Sequence, residues 1–234
     1  MTSLAVTTID GAWVRLRPAR LVVAGYTGRD EASVREHIDE LAAIGVPPPP
    51  SVPMFYDLPP GLVTTAGAVD VAGAMTSGEV EPVLVRADGR WYLGVGSDHT
   101  DRELEREDIA TAKERCPKPL GPVLLPLPGD PAAGGLDECW DAASARADAD
   151  GVPYQDGRIA ALRTPSDLLP RLFAELDGAA EGDLVVFTGT LPLVGGTFRA
   201  AAAWRLELTV PAGGGGAAVT LAHSYDVKQR TADA

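Results

Sequence analysis

Positive charge is scarce in this chain of 234 residues, where 20 Lys and Arg stand against 33 Asp and Glu for a formal net charge of −13. Nucleic acid and anionic membranes are held by cationic side chains meeting phosphate, so neither is an expected partner. Long apolar runs are missing as well. The start, MTSLAVTTIDGAWVRLRP, has no basic segment leading into an apolar one, and no later window reaches the length of a membrane span. A cytoplasmic protein is the expectation. Cysteine is limited to Cys116 and Cys139, far apart and without finger spacing. Reduced thiols are therefore expected, not a disulfide framework or a zinc site. Aromatics make up only 6% of residues against 45% hydrophobic overall, which leaves Val, Leu and Ala to build the core.

What the chain does contain is mostly strand-like. AWVRL and RLVVAGY read as strands, and from the candidate N-cap Asp30 the spacing of Val34, Ile38, Leu41 and Ala42 predicts one amphipathic helix. The stretch from Pro47 to Pro60 is too proline-rich for regular structure and is expected to be an ordered surface loop. EVEPVLV and RWYLGVGSD flank Asp88-Gly89, the strongest short hairpin signal. DRELEREDIATAKE reads as a charged helix, Pro122 to Leu127 as an apolar run, and the next stretch as a Gly- and Ala-rich loop. A further helix near Ser166 leads to the strand LVVFTGT, and AAWRLELTV and AVTLAHSYDV form a closing hairpin. Without a repeat or a linker, residues 1–234 are expected to form one α+β, mainly β domain. Residues 1–60 would supply N-terminal strands, a lid-like helix and the proline-rich loop, and 61–234 the rest.

The hairpin places charge. Residues two apart on a strand face the same way, so Glu79 and Glu81 project together. With Asp88-Gly89 as a two-residue turn, Ala87 opposes Arg90, and the same register sets Glu79 opposite Asp98. Three carboxylates then meet at the open end of a hairpin whose neighbours, Val80, Val83, Leu84, Leu93 and Val95, are apolar on both faces. Like charges so buried call for protons or a cation. Oxygen ligands without His or Cys point to Mg²⁺ or Mn²⁺, with Ca²⁺ under-coordinated by three ligands.

Four ordered stretches between Tyr26 and Gly196 resemble the fumarylacetoacetate hydrolase superfamily, and more narrowly a DUF2848-like branch without an assigned reaction. Gly78-Glu79-Val80-Glu81 is similar to the family's Glu-x-Glu metal motif. Ser97-Asp98-His99-Thr100-Asp101-Arg102-Glu103-Leu104-Glu105 resembles its Asn-Asp-x-Ser-Ala-Arg-Asp-Leu-Gln segment. Ala112-Lys113 followed by Pro119-Leu120-Gly121-Pro122, and Gly182 to Thr190, are similar to the Gly-Lys/Pro-Leu-Gly-Pro and Gly-Asp-Val-Ile-x-Thr-Gly-Thr-Pro stretches. His37 and Glu40 resemble a His-x-x-Glu pair of hydrolytic members and share a helix face by spacing.

The resemblance implies a mixed β-sandwich roll with a few peripheral helices, usually a homodimer, acting on a 2-oxo or 1,3-dioxo acid. The metal ligands would be Glu79, Glu81 and Asp98. His37, Glu40 and Lys113 would be catalytic, with Lys113 neutralising negative charge that develops on the substrate. Thr188, Gly189, Thr190, Arg102 and Glu105 would contact substrate, although a structural bond at a strand-to-helix turn is as good a reading of Arg102. Hydrolytic carbon-carbon cleavage is the leading reaction, with decarboxylation, isomerisation or hydration as alternatives. Departures from the pattern are Pro82, Glu105 in place of glutamine, Leu191, and Tyr56-Asp57-Leu58-Pro59 where a Phe-x-Lys-Pro lysine is usual. They favour a rival reading, a non-catalytic metal or oxo-acid binding protein. His99 points away from the ligands and is expected in the core or an interface, and His223 matches no motif.

Overall fold

The computed structural model describes residues 3–43, 48–176, 181–211 and 217–230. The chain begins with β1 (Leu4–Thr8), β2 (Trp13–Leu16), β3 (Pro18–Gly25), helix α1 (Glu31–Ala43), β4 (Met54–Leu58), β5 (Val63–Thr64), β6 (Ala68–Val71) and β7 (Thr76–Ser77). Its middle holds the hairpin β8 (Val80–Ala87) and β9 (Arg90–Ser97), then β10 (Thr100–Asp101), α2 (Ile109–Glu114), β11 (Lys118–Pro119) and β12 (Val123–Pro126). There follow α3 (Asp137–Ala142), β13 (Ser144–Ala149), β14 (Val152–Arg158), α4 (Pro165–Glu175), β15 (Asp183–Phe187), β16 (Ala203–Val210) and β17 (Val219–Gln229).

Eight strands form one sheet in the order β2-β1-β12-β9-β8-β15-β3-β4, and five form a second, β14-β13-β16-β17-β6. The two sheets face each other across a core that includes Leu84, Leu93, Val186, Trp140, Trp204, Leu206 and Tyr225. On the opposite face of the larger sheet Val6, Leu21, Val23, Val83, Val85 and Phe187 form a second cluster. Successive residues of β8 therefore enter different clusters, as side-chain alternation on a strand buried on both faces requires. Among the described residues no helix is long and apolar enough to cross a membrane.

Hairpin β8/β9 has the expected register, from Ala87 opposite Arg90 to Val80 opposite Ser97. Asp88 and Gly89 both take positive φ, 47° and 74°, which suits the twist of the flanking strands. The Asp30 carboxylate caps α1 by accepting from Ala32 and Ser33, and α4 starts at the Thr164 cap with Pro165 at its first position.

Three local expectations change. Within the proline-rich stretch, Met54–Leu58 forms β4 and pairs with β3 at the sheet edge, because the flanking prolines fall outside the paired residues. The charged segment after β9 is not one helix. Asp101 accepts from the amides of Glu103 and Leu104, Asp108 accepts from Thr111, and each cap starts a separate short turn. Much of the Gly- and Ala-rich region is the hairpin β13/β14, turning at Asp150-Gly151 with φ of 51° and 77°.

Candidate metal centre

The open end of β8/β9 brings Glu79, Glu81 and Asp98 together, with one oxygen of each lying within 4.8 Å of the others. The Asp98 amide donates to Glu79 O at 3.1 Å, one step beyond the last strand pair. Asp98 is fully buried, Glu81 is 2% exposed and the Glu79 side chain 12%. Water screens such carboxylates poorly, so each needs a partner within the protein.

The fold supplies three cations. Lys113, on α2, donates to Asp98 Oδ2, and Lys118 Nζ lies 3.1 Å from Asp98 Oδ1. Arg102 is 3.2 Å from Glu79, donates twice to Glu105 at 3.0 and 2.8 Å, and gives its Nε proton to Ser77 at 2.7 Å. The Phe198 ring covers its guanidinium at 4.0 Å. Burial alone raises the pKa of Asp98, but Lys113 and Lys118 override it and hold the group well below the usual carboxylate range. Lys113 is likewise held above the usual lysine range, since attraction from Asp98 and Glu79 outweighs its burial.

Among the described residues Glu81 has no ion-pair partner, and Lys113 acts on it only as a weaker, more distant charge. Among the described residues its hydrogen bond is to the Gly189 amide, at 2.8 Å. Burial and then the Asp98 charge push its pKa well above the ordinary value, and burial also raises Glu79 against the pull of Arg102 and Lys113. The uncompensated charge of the cluster is therefore localised at Glu81, where a proton or a cation relieves it. Three hard carboxylate oxygens without nitrogen or sulfur suit Mg²⁺ or Mn²⁺. On this donor chemistry the residues fit a divalent ion.

A pH dependence follows. A carboxylate with a raised folded pKa stabilises the fold below its unfolded value, near 4.5, and loses that contribution as pH rises through the folded value. Asp98 behaves oppositely and loses its contribution as pH falls below about 3.8. In chelator, melting temperature should fall from about pH 4.5 upward more steeply for the wild type than for Glu81→Gln. Parallel curves would remove Glu81 as the source.

The substrate-side residues are distributed unevenly. Thr188 donates its hydroxyl to Pro82 O at 2.8 Å and Thr190 to Val80 O at 2.9 Å, so both turn toward β8. Between them Gly189 has φ of 109°, and a Cβ there would run into Thr27. The side chains of His37 and Glu40, on α1, lie outside the described residues. His99 bonds Tyr225 Oη and Thr76 Oγ1, each at 3.0 Å, and burial lowers its pKa to about 3, which marks a neutral core histidine. The His223 ring stacks on Tyr225.

Four residues at the cluster had no assignment from sequence. Lys118 is wholly buried and also donates to His99 O at 2.6 Å and to Lys113 O, and its only signal was its place next to Pro-Leu-Gly-Pro. Tyr56 lies beneath Lys113, with Nζ 5.5 Å from the ring centroid, and burial pushes its pKa up to about 12. Tyr26 takes a left-handed φ of 56°, uncommon for a bulky residue, and burial followed by the Glu105 charge raises its pKa. Gln155 reaches the cluster from the smaller sheet.

Solved structures with little sequence in common share this fold. 5-carboxymethyl-2-hydroxymuconate delta-isomerase from Mycobacterium smegmatis aligns with a TM-score of 0.56 and 17% identity, covering 94% of this chain and 81% of that one. For 2-keto-3-deoxyarabinonate dehydratase the TM-score is 0.57 at 16% identity, over 92% of this chain and 75% of that one. A yeast fumarylacetoacetate hydrolase family protein gives 0.56 at 12% identity, over 92% and 95%. Likeness at these identities establishes the fold alone. No curated protein matches the chain. The family described as "Protein of unknown function (DUF2848)" matches residues 24–225, and the chain thus belongs to the DUF2848 family and has the fold of the fumarylacetoacetate hydrolases.

Proposed function

We propose that this protein is a divalent-metal-dependent enzyme acting on a 2-oxo or 1,3-dioxo acid, with hydrolytic carbon-carbon cleavage as the leading reaction. The observation that carries the reading is the buried cluster of Glu79, Glu81 and Asp98 with an uncompensated charge at Glu81. A Mg²⁺ or Mn²⁺ ion held there would polarise a carbonyl of the bound acid. Lys113, already at the cluster, would stabilise negative charge as it develops on a substrate oxygen, and the Tyr56 ring beneath it keeps that ammonium from water. On the hydrolytic reading His37, oriented by Glu40, takes a proton from the attacking water.

A second reading, isomerisation, hydration or decarboxylation on the same site, has its own support. Lys113, Tyr26 and Tyr56 hold protons beside the cluster, and such chemistry needs no base for water. The tight pairing of Glu105 with Arg102 instead favours a non-catalytic binding protein. Turnover of acylpyruvates and oxaloacetate with Mg²⁺ or Mn²⁺ separates these readings, and no turnover of any of them leaves the binding protein.

Metal binding itself is best probed at Glu81, since a glutamine there still accepts from the Gly189 amide while losing its charge. Titration calorimetry is expected to show one Mn²⁺ site per chain in the wild type and a severely weakened site in Glu81→Gln. Equal affinity in the two proteins would sink the ligand set.

A further inference from the structure

The carboxylate pair Glu79 and Glu81 sits where the sheet runs out. The ladder between β15 and β8 ends at Val83, opposite Phe187; the Thr188 amide still donates to Pro82 O at 3.2 Å, and the chain then turns away through Gly189, short of Val80. On the β9 side Glu79 is held by backbone, its carbonyl accepting from Asp98 and its amide donating to Ser97 Oγ at 3.1 Å. Val80, between the two ligands, turns its amide and carbonyl the other way, toward the position that β15 has left. A strand end without a neighbour leaves buried main-chain groups unpaired and the direction of its side chains loosely set.

Side chains occupy that position. Gln155, on β14 of the smaller sheet and fully buried, accepts from the Val80 amide through Oε1 at 2.8 Å. Its Nε2 donates to Thr190 Oγ1 at 2.7 Å and to Leu191 O at 2.6 Å. Thr190 in turn donates to Val80 O at 2.9 Å. One amide and one hydroxyl thus close a ring on both main-chain groups of Val80, and every polar atom in the ring is satisfied. Only the nitrogen of Gln155 can donate to Leu191 O, so the orientation of its amide is fixed.

We propose that Gln155 and Thr190 are positioning residues that together replace the missing strand beside Val80 and fix the angle at which Glu79 and Glu81 present their carboxylates to a divalent ion. This rests on the metal-binding reading and extends it to the smaller sheet, which contributes none of the three ligands. Outer partners that orient ligands in this way are worth about 10- to 100-fold in metal affinity.

The test is Mn²⁺ titration calorimetry on the full chain, below the melting temperature of each variant, with urea unfolding alongside. Gln155→Met and Thr190→Val are expected to weaken Mn²⁺ binding by about tenfold or more. Thr190→Ser, which keeps the hydroxyl, should stay within about twofold of the wild type. Leu172→Ala, a truncation of a buried α4 side chain that is no part of the ring, supplies a loss of stability without an expected loss of affinity. Unchanged affinity in Gln155→Met and Thr190→Val overturns the proposal, and so does a loss in Leu172→Ala that matches theirs. If Gln155→Met fails to fold, the Val and Ser variants at Thr190 decide alone. A wild type that binds no Mn²⁺ overturns the metal reading and this proposal with it, an outcome distinct from one in which only the variants behave like wild type.

Discussion

Lys118→Met is expected to lower folding stability by about 3 kcal/mol, the scale set by removing one partner of a buried ion pair. Lys118 has no exposed surface and makes three contacts, to Asp98 Oδ1 and to the carbonyls of His99 and Lys113. Methionine fills similar volume but donates nothing, so His99 O loses the lysine donor, Lys113 O keeps only the long bond from the Cys116 amide at 3.4 Å, and Asp98 keeps Lys113 as its ion-pair partner. Orphaned buried groups cost more than the net worth of the bonds they made, and the full loss appears in the unfolding free energy. Burial lowers the Lys118 pKa despite the pull of Asp98, so charging this lysine already draws on the folded state. Adding Asp98→Asn to Lys118→Met should cost less than the sum of the two single losses, because a neutral side chain no longer needs the second cation. Urea unfolding measures both. A loss below about 1 kcal/mol for the single variant would show that Lys113 alone compensates Asp98.

The same residue shows where sequence stops being legible. A lysine in a chain of 20 basic residues reads as solvated, and nothing local marks Lys118 as buried. Its partners Asp98 and His99 lie on the preceding hairpin and are reached only because β11 pairs with β5 and turns the side chain inward. Gln155 is harder still, since it meets Val80 across 75 residues and between two sheets. By contrast the register of β8/β9 was fixed by a two-residue turn and carried outward by arithmetic, so the Glu79/Asp98 pairing could be placed without tertiary information.

The same turn chemistry at Asp150-Gly151 gave no comparable signal, because β13 buries Ala145, Ala147 and Ala149 rather than branched side chains. Small residues pack under the smaller sheet but look like loop. Period-two spacing did not decide what Thr188 and Thr190 touch either, since the positive φ of Gly189 breaks the strand between them and both hydroxyls bond β8. The charge argument for a cation was likewise incomplete. Three carboxylates were legible, and the resemblance placed Lys113 and Arg102 at the site, whereas Lys118 and the pairing of these cations with Asp98 and Glu79 were not, and the lack of an ion-pair partner for Glu81 emerged only with the side chains in place.

His37→Ala is expected to lower hydrolytic kcat by about 10² to 10⁴-fold while leaving any decarboxylation of oxaloacetate near its wild-type rate. The two reactions part at water. Hydrolytic cleavage needs a base that removes a proton from the nucleophile, whereas decarboxylation needs only charge stabilisation at the substrate oxygen and return of a proton to carbon. Lys113 serves both, and on the proposed reading His37 serves the first alone. The start of α1 is fixed by the Asp30 cap and by Arg163, which pairs with Glu31 at 3.0 Å and with Asp167 at 2.7 Å, so the helix is anchored to α4 at the end that precedes His37. Replacing the imidazole should therefore leave the melting temperature within a few degrees of wild type, and a kinetic loss then reports chemistry instead of unfolding. Steady-state kinetics with an acylpyruvate and with oxaloacetate, each at saturating Mn²⁺, give the two rates. A fall in kcat confined to the acylpyruvate assigns water activation to α1. A rise in KM shared by both substrates would make His37 a binding residue, and near-normal hydrolysis would remove α1 from the active site.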